Sequence, residues 1–217
     1  MKKFLSVLIL AMLCTSITAS AQSVCVVPNA ATSDSKTLAS LMSAITGEVT
    51  ANAKYRAFAD AADKEGYREI AGIFRAISDA EIKHAQDEFK VVKKISPTAV
   101  MPNPEAFTVG TTRENLQAAI DGETYEYTVM YPDFIIIANS ENNVDARGIF
   151  TLAKSAEQIH ARTYTNLLNN IDNFDAQRYG TIYRCPDCGN IITRVRPEAC
   201  NVCGKSGTFF ATYRIVK

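Results

Sequence analysis

The sequence predicts a mainly α-helical protein in which a four-helix bundle is followed by a small cysteine-rich β domain. Three patterns predict this architecture. Four long segments repeat apolar residues every three or four positions, two of these segments carry a Glu-x-x-His pair, and two Cys-x-x-Cys-Gly motifs follow near the C-terminus. A chain of 217 residues is long enough to bury one bundle core and to carry one small appendage.

The composition of the chain is that of an ordinary globular protein. Its 23 basic residues balance its 23 acidic residues, so there is neither a basic surplus nor an acidic tail. We therefore expect no nucleic acid among its partners.

The first 21 residues predict a cleaved signal peptide. They begin with a charged start, continue with an apolar run from Phe4 to Cys14, and end on the small residues Ala19-Ser20-Ala21. The run is too short to span a bilayer, so we expect no membrane insertion once the peptide is removed. The mature protein would begin at Gln22 and reach the periplasm. The alternative is an uncleaved N-terminus that holds the protein at the membrane.

The next part of the chain predicts the bundle. Residues 22–35 are expected to form a flexible leader, and residues 36–170 the helical domain. The four predicted helices cover residues 36–63, 67–94, 112–139 and 141–170. Between the second and third lies a proline-rich connection that is long enough to cross the bundle from end to end, which is the ferritin-like connectivity. Pro132, inside the third helix, is expected to kink it or to remove one backbone hydrogen bond.

Acidic residues interrupt the apolar stripe of every predicted helix. Unpaired charges in a bundle core cost several kcal/mol each, and cations cancel that cost. On a helix, positions i and i+3 share a face, so each Glu-x-x-His pair presents a carboxylate and an imidazole to one point. The predicted ligands of a two-metal centre are Glu48, Glu81, His84, Glu123, Glu157 and His160. Oxygen-rich donors with imidazoles suit iron or manganese. Glu126 is either a seventh ligand or an exposed neighbour.

The C-terminal part of the sequence predicts a small domain that a bound metal stabilises. Residues 171–180 are expected to form a linker and residues 181–217 a β domain too small to build a sufficient core unaided. Each Cys-x-x-Cys-Gly motif is called a knuckle here. The two knuckles provide four thiolates for one tetrahedral metal, from Cys185, Cys188, Cys200 and Cys203. Iron and zinc both suit such a site, and two disulfides are the alternative in an oxidising compartment. No role is assigned to Cys25.

Two segments carry a resemblance to a known family. They read GEVTANAKYRAFADAADKEG in the first helix and NLQAAIDGETYEYTVMYPDF in the third. Together with the Glu-x-x-His pairs, they resemble the ferritin-like domain of rubrerythrins over residues 36–170, and the cysteine domain resembles their rubredoxin-like domain. The resemblance adds Glu126 to the ligands, and implies that one iron exchanges Glu126 for His84 between oxidation states. It also implies that Tyr55 and Tyr131 hydrogen-bond near the metals; their alternative is a role as core aromatics.

The resemblance implies a non-haem di-iron peroxidase. Hydrogen peroxide would be reduced at the di-iron centre, which an unidentified electron donor would re-reduce through iron in the four-cysteine site. A homodimer is expected, with the cysteine domain of one chain near the di-iron site of its partner. Asn190 departs from the family pattern, in which an aromatic residue often follows the first knuckle. A structural zinc ribbon on an iron-oxidising or iron-sequestering bundle therefore stays open as the alternative.

Overall fold

The computed structural model of the protein describes residues 35–173 and 180–214. The predicted signal peptide and Cys25 lie outside the described residues. The predicted leader is described only at Ser35, and the predicted linker only at its two ends. None of the helices in the described ranges is both long enough and apolar enough to cross a membrane.

The first two helices form an antiparallel pair. Helix α1 (Lys36–Lys64) begins at Ser35, whose hydroxyl accepts a hydrogen bond of 3.2 Å from the Leu38 amide. A short turn leads to α2 (Arg68–Ile95), and Gly66 adopts a φ of +89° in that turn, which only glycine adopts without strain. Both helices match their predicted ranges to within one residue.

A long connection without helix or strand follows α2. It ends at Thr111, which forms a capping box with Glu114 at the start of α3 (Thr112–Tyr125). The connection lets α3 begin at the far end of the bundle, so the predicted ferritin-like crossover is confirmed.

The third predicted helix, residues 112–139, is helical throughout but changes its helical type before Pro132. Helix α3 ends at Tyr125, a π-helical segment covers Glu126–Met130, and α4 (Tyr131–Ser140) continues along the bundle. The amide of Tyr131 bonds to the carbonyl of Glu126, five residues back. Pro132 has no N–H to donate to the turn before it, so the backbone widens there rather than merely losing one bond.

The fourth bundle element and the sheet complete the fold. Helix α5 (Val144–Asn169) begins at Asn143, whose side chain accepts the Ala146 amide, and a 3₁₀ turn (Ile171–Asn173) follows. Three antiparallel strands then form a sheet in the order β2-β1-β3. They are β1 (Thr181–Arg184), β2 (Ile191–Thr193) and β3 (Ala211–Arg214).

The sheet packs on the bundle of its own chain. Ile182 and Ile191 are buried in the same apolar cluster as the aromatic residues of α1 and α2. The Tyr213 hydroxyl donates a hydrogen bond of 2.7 Å to Asp79, and Lys83 donates one of 3.2 Å to the Asp187 carbonyl. The cysteine domain is therefore held against α2.

Two apolar clusters fill the bundle, one towards each end. One is rich in aromatic side chains and includes Tyr55, Phe58, Phe74 and Tyr164. The other is built mainly from aliphatic residues around Phe150. The four glutamates and two histidines predicted from helical spacing belong to neither cluster, yet they are as deeply buried as the residues of both.

Candidate metal centre

The interior of the bundle contains the four predicted glutamates and both histidines. Helix α2 provides a Glu–His pair, α5 provides the other, and α1 and α3 each provide one glutamate. None of these six residues is more than 3% exposed, and they are Glu48, Glu81, His84, Glu123, Glu157 and His160. The structure thus brings together donors that lie more than 100 residues apart in sequence.

Three of these glutamates surround His84. Its Nδ1 lies 2.8 Å from Glu157 Oε1, 3.2 Å from Glu81 Oε2 and 3.5 Å from Glu48 Oε1. One donor atom from each of the four residues lies within 4.8 Å of all the others. Three carboxylates and one imidazole at this spacing can enclose one cation.

A second, matching group surrounds His160. Its Nδ1 lies 2.8 Å from Glu157 Oε2, 3.2 Å from Glu81 Oε1 and 3.5 Å from Glu123 Oε2. Glu81 and Glu157 therefore present one oxygen to each histidine. Two carboxylates shared in this way are the bridging ligands that a two-metal site needs, with Glu48 and Glu123 at its opposite ends.

The donor atoms of both groups fit such a pair of cations. Both oxygens of Glu81 and Glu157 are buried without a hydrogen-bond partner among the described residues, as are both histidine Nδ1 atoms. Buried polar atoms left unpaired cost about 1–3 kcal/mol each, and more when charged. Two cations would satisfy the whole set at once, and carboxylate oxygens with imidazoles suit iron.

Protons would have to balance the charge where cations do not. Burial, and after it the charge of Glu81, raise the pKa of Glu123 to about 8. Burial acts to lower the pKa of His84, but the charges of Glu157 and Glu48 outweigh it and hold that pKa well above its usual value. The pKa of His160 is raised in the same way, chiefly by Glu81 against its burial. Cations and protons therefore compete for the same atoms.

Both predicted tyrosines contact ligand carboxylates. The Tyr55 hydroxyl donates a hydrogen bond of 2.7 Å to Glu123 Oε1, and the Tyr131 hydroxyl donates to Glu48 Oε1. Tyr55 thus leaves Glu123 Oε2, the oxygen nearer His160, for metal. Tyr131 instead holds Glu48 Oε1, the oxygen nearer His84. Both rings are also buried in the apolar clusters, so the core role and the hydrogen-bonding role hold together.

Glu126 lies outside both four-residue groups. It is half-buried at the start of the π-helical segment and faces a cavity of about 460 Å³ between α1 and α3. Gly47 and Gly122 also line this cavity, together with Lys54 and Tyr55. A Cβ on Gly47 would lie 3.7 Å from Glu126 Oε1, an ordinary van der Waals distance, so this carboxylate lies beside α1. Glu126 therefore stands between the cavity and the buried donors.

The outer nitrogens of the two histidines contact the first cysteine knuckle. His84 Nε2 lies 3.0 Å from the Cys188 carbonyl oxygen, and His160 Nε2 lies 3.3 Å from the Gly189 carbonyl oxygen. Each Nε2–H donates to a carbonyl, which leaves the Nδ1 lone pair directed at the carboxylates. Within the chain, its own knuckle makes this contact, and the expected approach of a partner's cysteine domain stays a prediction.

Glycine at position 189 is required by that contact. Its φ is +73°, and a Cβ there would lie 2.4 Å from His84 Nε2. A φ in this range already favours glycine in the turn of the knuckle. The structure adds a second reason, since only a residue without a side chain lets the two sites approach this closely.

The four cysteines form one cluster. Cys185 Sγ lies 3.6 Å from Cys203 Sγ, and Cys188 Sγ lies 3.6 Å from Cys200 Sγ. These distances exceed the disulfide bond length of about 2.05 Å, and all four thiols are free. The geometry favours the tetrahedral metal site over the two-disulfide alternative.

Two buried polar residues near these sites were missed by the sequence analysis. Asn190, noted only as a departure, is fully buried and donates a hydrogen bond of 3.4 Å to Cys200 Sγ. Glu88 is fully buried on α2 and lies 3.0 Å from the Tyr131 hydroxyl. Its position, four residues after His84, lies on the same helical face, so the 3–4 spacing would have revealed it.

The geometry defines a ferritin-like protein with a carboxylate-bridged two-metal site and an adjoining four-cysteine site. The family model described as Rubrerythrin matches residues 40–168, more than half of the chain. The chain belongs to the rubrerythrin family. It contains the residues of that family's di-iron site and of a rubredoxin-like iron site.

Individual relatives agree with this assignment. Nigerythrin of Nitratidesulfovibrio vulgaris is 37% identical over 187 residues, which cover 86% of this chain and 91% of that protein. Rubrerythrin of Porphyromonas gingivalis is 34% identical over 181 residues, covering 81% and 89%. A solved structure of fully reduced, all-ferrous nigerythrin matches with a TM-score of 0.78 at 38% identity, covering 86% of this chain and 91% of that one.

The metal-free protein is expected to lose stability as pH rises. Burial raises the pKa values of Glu88 and Glu123 to about 8 in the folded state, against about 4.3 for an ordinary glutamate. The native state then binds more protons than the unfolded state, so this stability is fully present below about pH 4 and is lost as pH passes through about 8. The raised pKa values of both histidines act in the same direction.

Thermal melts at several pH values would check this. The protein with a chelator should melt at progressively lower temperature between about pH 5 and about pH 9. The same protein loaded with iron should not decline in this way, because cations replace the protons. A metal-free melting temperature that rises over this range would contradict the proton-balanced interior.

Proposed function

We propose that this protein is a non-haem di-iron peroxidase that reduces hydrogen peroxide to water. The observation that carries the proposal is the two-sided contact of both histidines. Each directs Nδ1 at the carboxylate groups and Nε2 at the knuckle that carries Cys188. A redox centre and a source of electrons are thereby joined through single side chains.

The proposed reaction needs two electrons and two protons for each peroxide. Iron bound by the carboxylate–histidine groups would supply the electrons and polarise the O–O bond. The chain's own residues hold this centre in place, because Glu81 and Glu157 are shared between both groups and the two tyrosines fix the terminal glutamates. Water is largely excluded from the buried donors.

Electrons would return through the four-cysteine site. The carbonyl of Cys188 is part of a residue that also provides a metal-binding sulfur, and its oxygen accepts the hydrogen bond from His84. Along this path, only atoms of Cys188 and His84 lie between the Cys188 Sγ and the His84 Nδ1. Iron in the cysteine site would carry one electron at a time, and the amide of Asn190 would stabilise the reduced state by donating to Cys200 Sγ.

The cavity between α1 and α3 offers a route for the peroxide. Its lining is polar, with Thr50, Lys54, Glu105 and Glu126, and it reaches the Tyr55 side chain beside Glu123. A small polar molecule suits this space. Glu126, one of the two carboxylates in this lining, interacts electrostatically with Glu123 of the centre, which supports its proposed role as a movable ligand that alternates with His84.

The wider setting of the reaction follows from the same proposal. We propose export to the periplasm through the predicted signal peptide, a homodimeric assembly, and an electron donor outside the cytoplasm. The alternative, an iron-oxidising or iron-storing bundle with a zinc ribbon, needs no path between the two sites. The histidine contacts to the knuckle therefore favour the peroxidase.

A direct test uses the full chain loaded with iron and reduced without oxygen. One equivalent of hydrogen peroxide should oxidise two irons of the centre, and added reductant should restore them through the cysteine site. Stopped-flow spectra of both sites, with metal analysis, would follow this cycle. Zinc in the cysteine site, or iron accumulating well beyond three atoms per chain, would support the storage alternative instead.

Gly189→Ala tests the path between the sites. The new Cβ would meet His84 Nε2, so we expect re-reduction of the centre to slow by roughly 10-fold to 100-fold, in line with the effect of small displacements in catalytic geometry. Oxidation of the reduced centre by peroxide should change much less. The rates would be measured separately by stopped flow.

Gly204→Ala is a matched control for this variant. Gly204 occupies the same place in the second knuckle, with a φ of +77°, and a Cβ there meets nothing within 4 Å. The backbone strain of about 1–2 kcal/mol is shared by both variants. Equal slowing in both would show that strain in the knuckle, and not the contact with His84, sets the rate.

Export can be tested on cells that produce the full-length chain. We expect the protein in the periplasmic fraction with Gln22 at its N-terminus, determined by mass spectrometry of the intact protein. Replacing Leu8 and Leu10 with lysine would interrupt the apolar run and should retain the protein inside the cell. A full-length chain recovered from membranes would favour the uncleaved alternative.

A further inference from the structure

Glu88 is a buried carboxyl group that the proposed reaction does not use. Its side chain is 0% exposed, and it belongs to neither of the two four-residue groups. Its Oε1 lies 3.0 Å from the Tyr131 hydroxyl, and its Oε2 has no hydrogen-bond partner among the described residues. A buried acid without a cation or a full set of partners needs a physical explanation.

The number of hydrogens at Tyr131 supplies that explanation. The Tyr131 hydroxyl oxygen contacts both Glu48 Oε1 and Glu88 Oε1, and the contact to Glu48 is the shorter one. A phenol carries one hydrogen, so it can donate to only one of two carboxylates. Glu48 takes that hydrogen. The contact with Glu88 is then a hydrogen bond only if the proton belongs to Glu88.

The surroundings of Glu88 favour the protonated form. Burial raises its pKa to about 8, with Glu157 and Asp87 contributing in the same direction and His84 and Tyr131 opposing it. Five further glutamates already lie at or beside the centre, so another buried negative charge would add repulsion. A neutral acid avoids that cost and becomes a hydrogen-bond donor.

We propose that Glu88 is a positioning residue of the metal centre: as a neutral carboxylic acid, it donates a hydrogen bond to the Tyr131 hydroxyl and thereby keeps that hydroxyl donating to Glu48. The three groups form an ordered chain from Glu88 through Tyr131 to Glu48. Glu48 Oε1, which lies 3.5 Å from His84 Nδ1, is held by the tyrosine, and Oε2 has no partner among the described residues. Glu88 supports a ligand without touching metal itself.

This inference rests on the metal centre and not on the peroxide chemistry, so binding and spectroscopy can test it alone. Outer hydrogen bonds of this kind typically change metal affinity by 10-fold to 100-fold. Glu88→Gln keeps a donor for Tyr131 through its amide, whereas Glu88→Met has similar length but no donor. Tyr131→Phe removes the middle of the chain.

The first experiment measures ferrous iron binding to the full chain under anaerobic conditions. We expect Glu88→Gln to bind within about 2-fold of the unmodified protein, and Glu88→Met and Tyr131→Phe each to bind about 10-fold more weakly. The double variant Glu88→Met/Tyr131→Phe should bind no more weakly than Tyr131→Phe alone, because both changes break one chain. Unchanged binding in folded Glu88→Met, or additive losses in the double variant, would overturn the proposal.

The second experiment records infrared difference spectra between the iron-loaded protein and Glu88→Gln. We expect the C=O stretching band of a protonated carboxylic acid at neutral pH, shifted by exchange into D₂O and shifted again in Tyr131→Phe. This measurement needs only the conservative variant, so it decides the matter even if Glu88→Met does not fold. A carboxylate band in its place would show an ionised Glu88 and overturn the proposal.

Discussion

Inside the bundle, the buried negative charge of the glutamates has to be cancelled by metal cations or by protons. Glu81 and Glu157 are fully buried, and their four oxygens find no hydrogen-bond partner in the described protein. Apolar packing at both ends of the bundle cannot offset several buried anions, each of which costs several kcal/mol to desolvate. The two shared carboxylates and the two imidazoles can stay buried at the centre only when metal or protons occupy their donor atoms.

The two histidines extend this centre to the cysteine domain. Each imidazole is satisfied on one side by a knuckle carbonyl and is open on the other side to the carboxylates. The knuckle therefore fixes the tautomer of the ligands, and the ligands fix the place of the knuckle. This mutual constraint explains why Gly189 contacts the bundle while Gly204, the equivalent residue of the second knuckle, does not. The two metal sites are parts of one arrangement rather than separate modules.

The supporting residues show where sequence patterns reach their limit. The buried glutamates and histidines could be found because a spacing of 3–4 residues marks one face of a helix. Glu88 lies on that same face, but its proposed role depends on its contact with Tyr131, which the sequence does not show. The π-helical segment before Pro132 could not be found, because a missing N–H predicts a lost bond but not how the backbone redistributes the others. In the sequence, Asn190 was only a departure from the family pattern. Its hydrogen bond to Cys200 Sγ depends on the tertiary fold.

The sequence alone determined the helical bundle, the crossover and the carboxylate, imidazole and thiol side chains that gather at the two sites, because periodicity, prolines and Cys-x-x-Cys spacing act over short stretches of chain. The tertiary structure alone decided which oxygen of each glutamate faces which histidine, and that the knuckle rests on its own bundle. Those facts depend on contacts between residues about 30 to more than 100 positions apart, such as His160 with Gly189 and His84 with Cys188. No local pattern encodes such pairings, since they exist only once the helices and the sheet have packed.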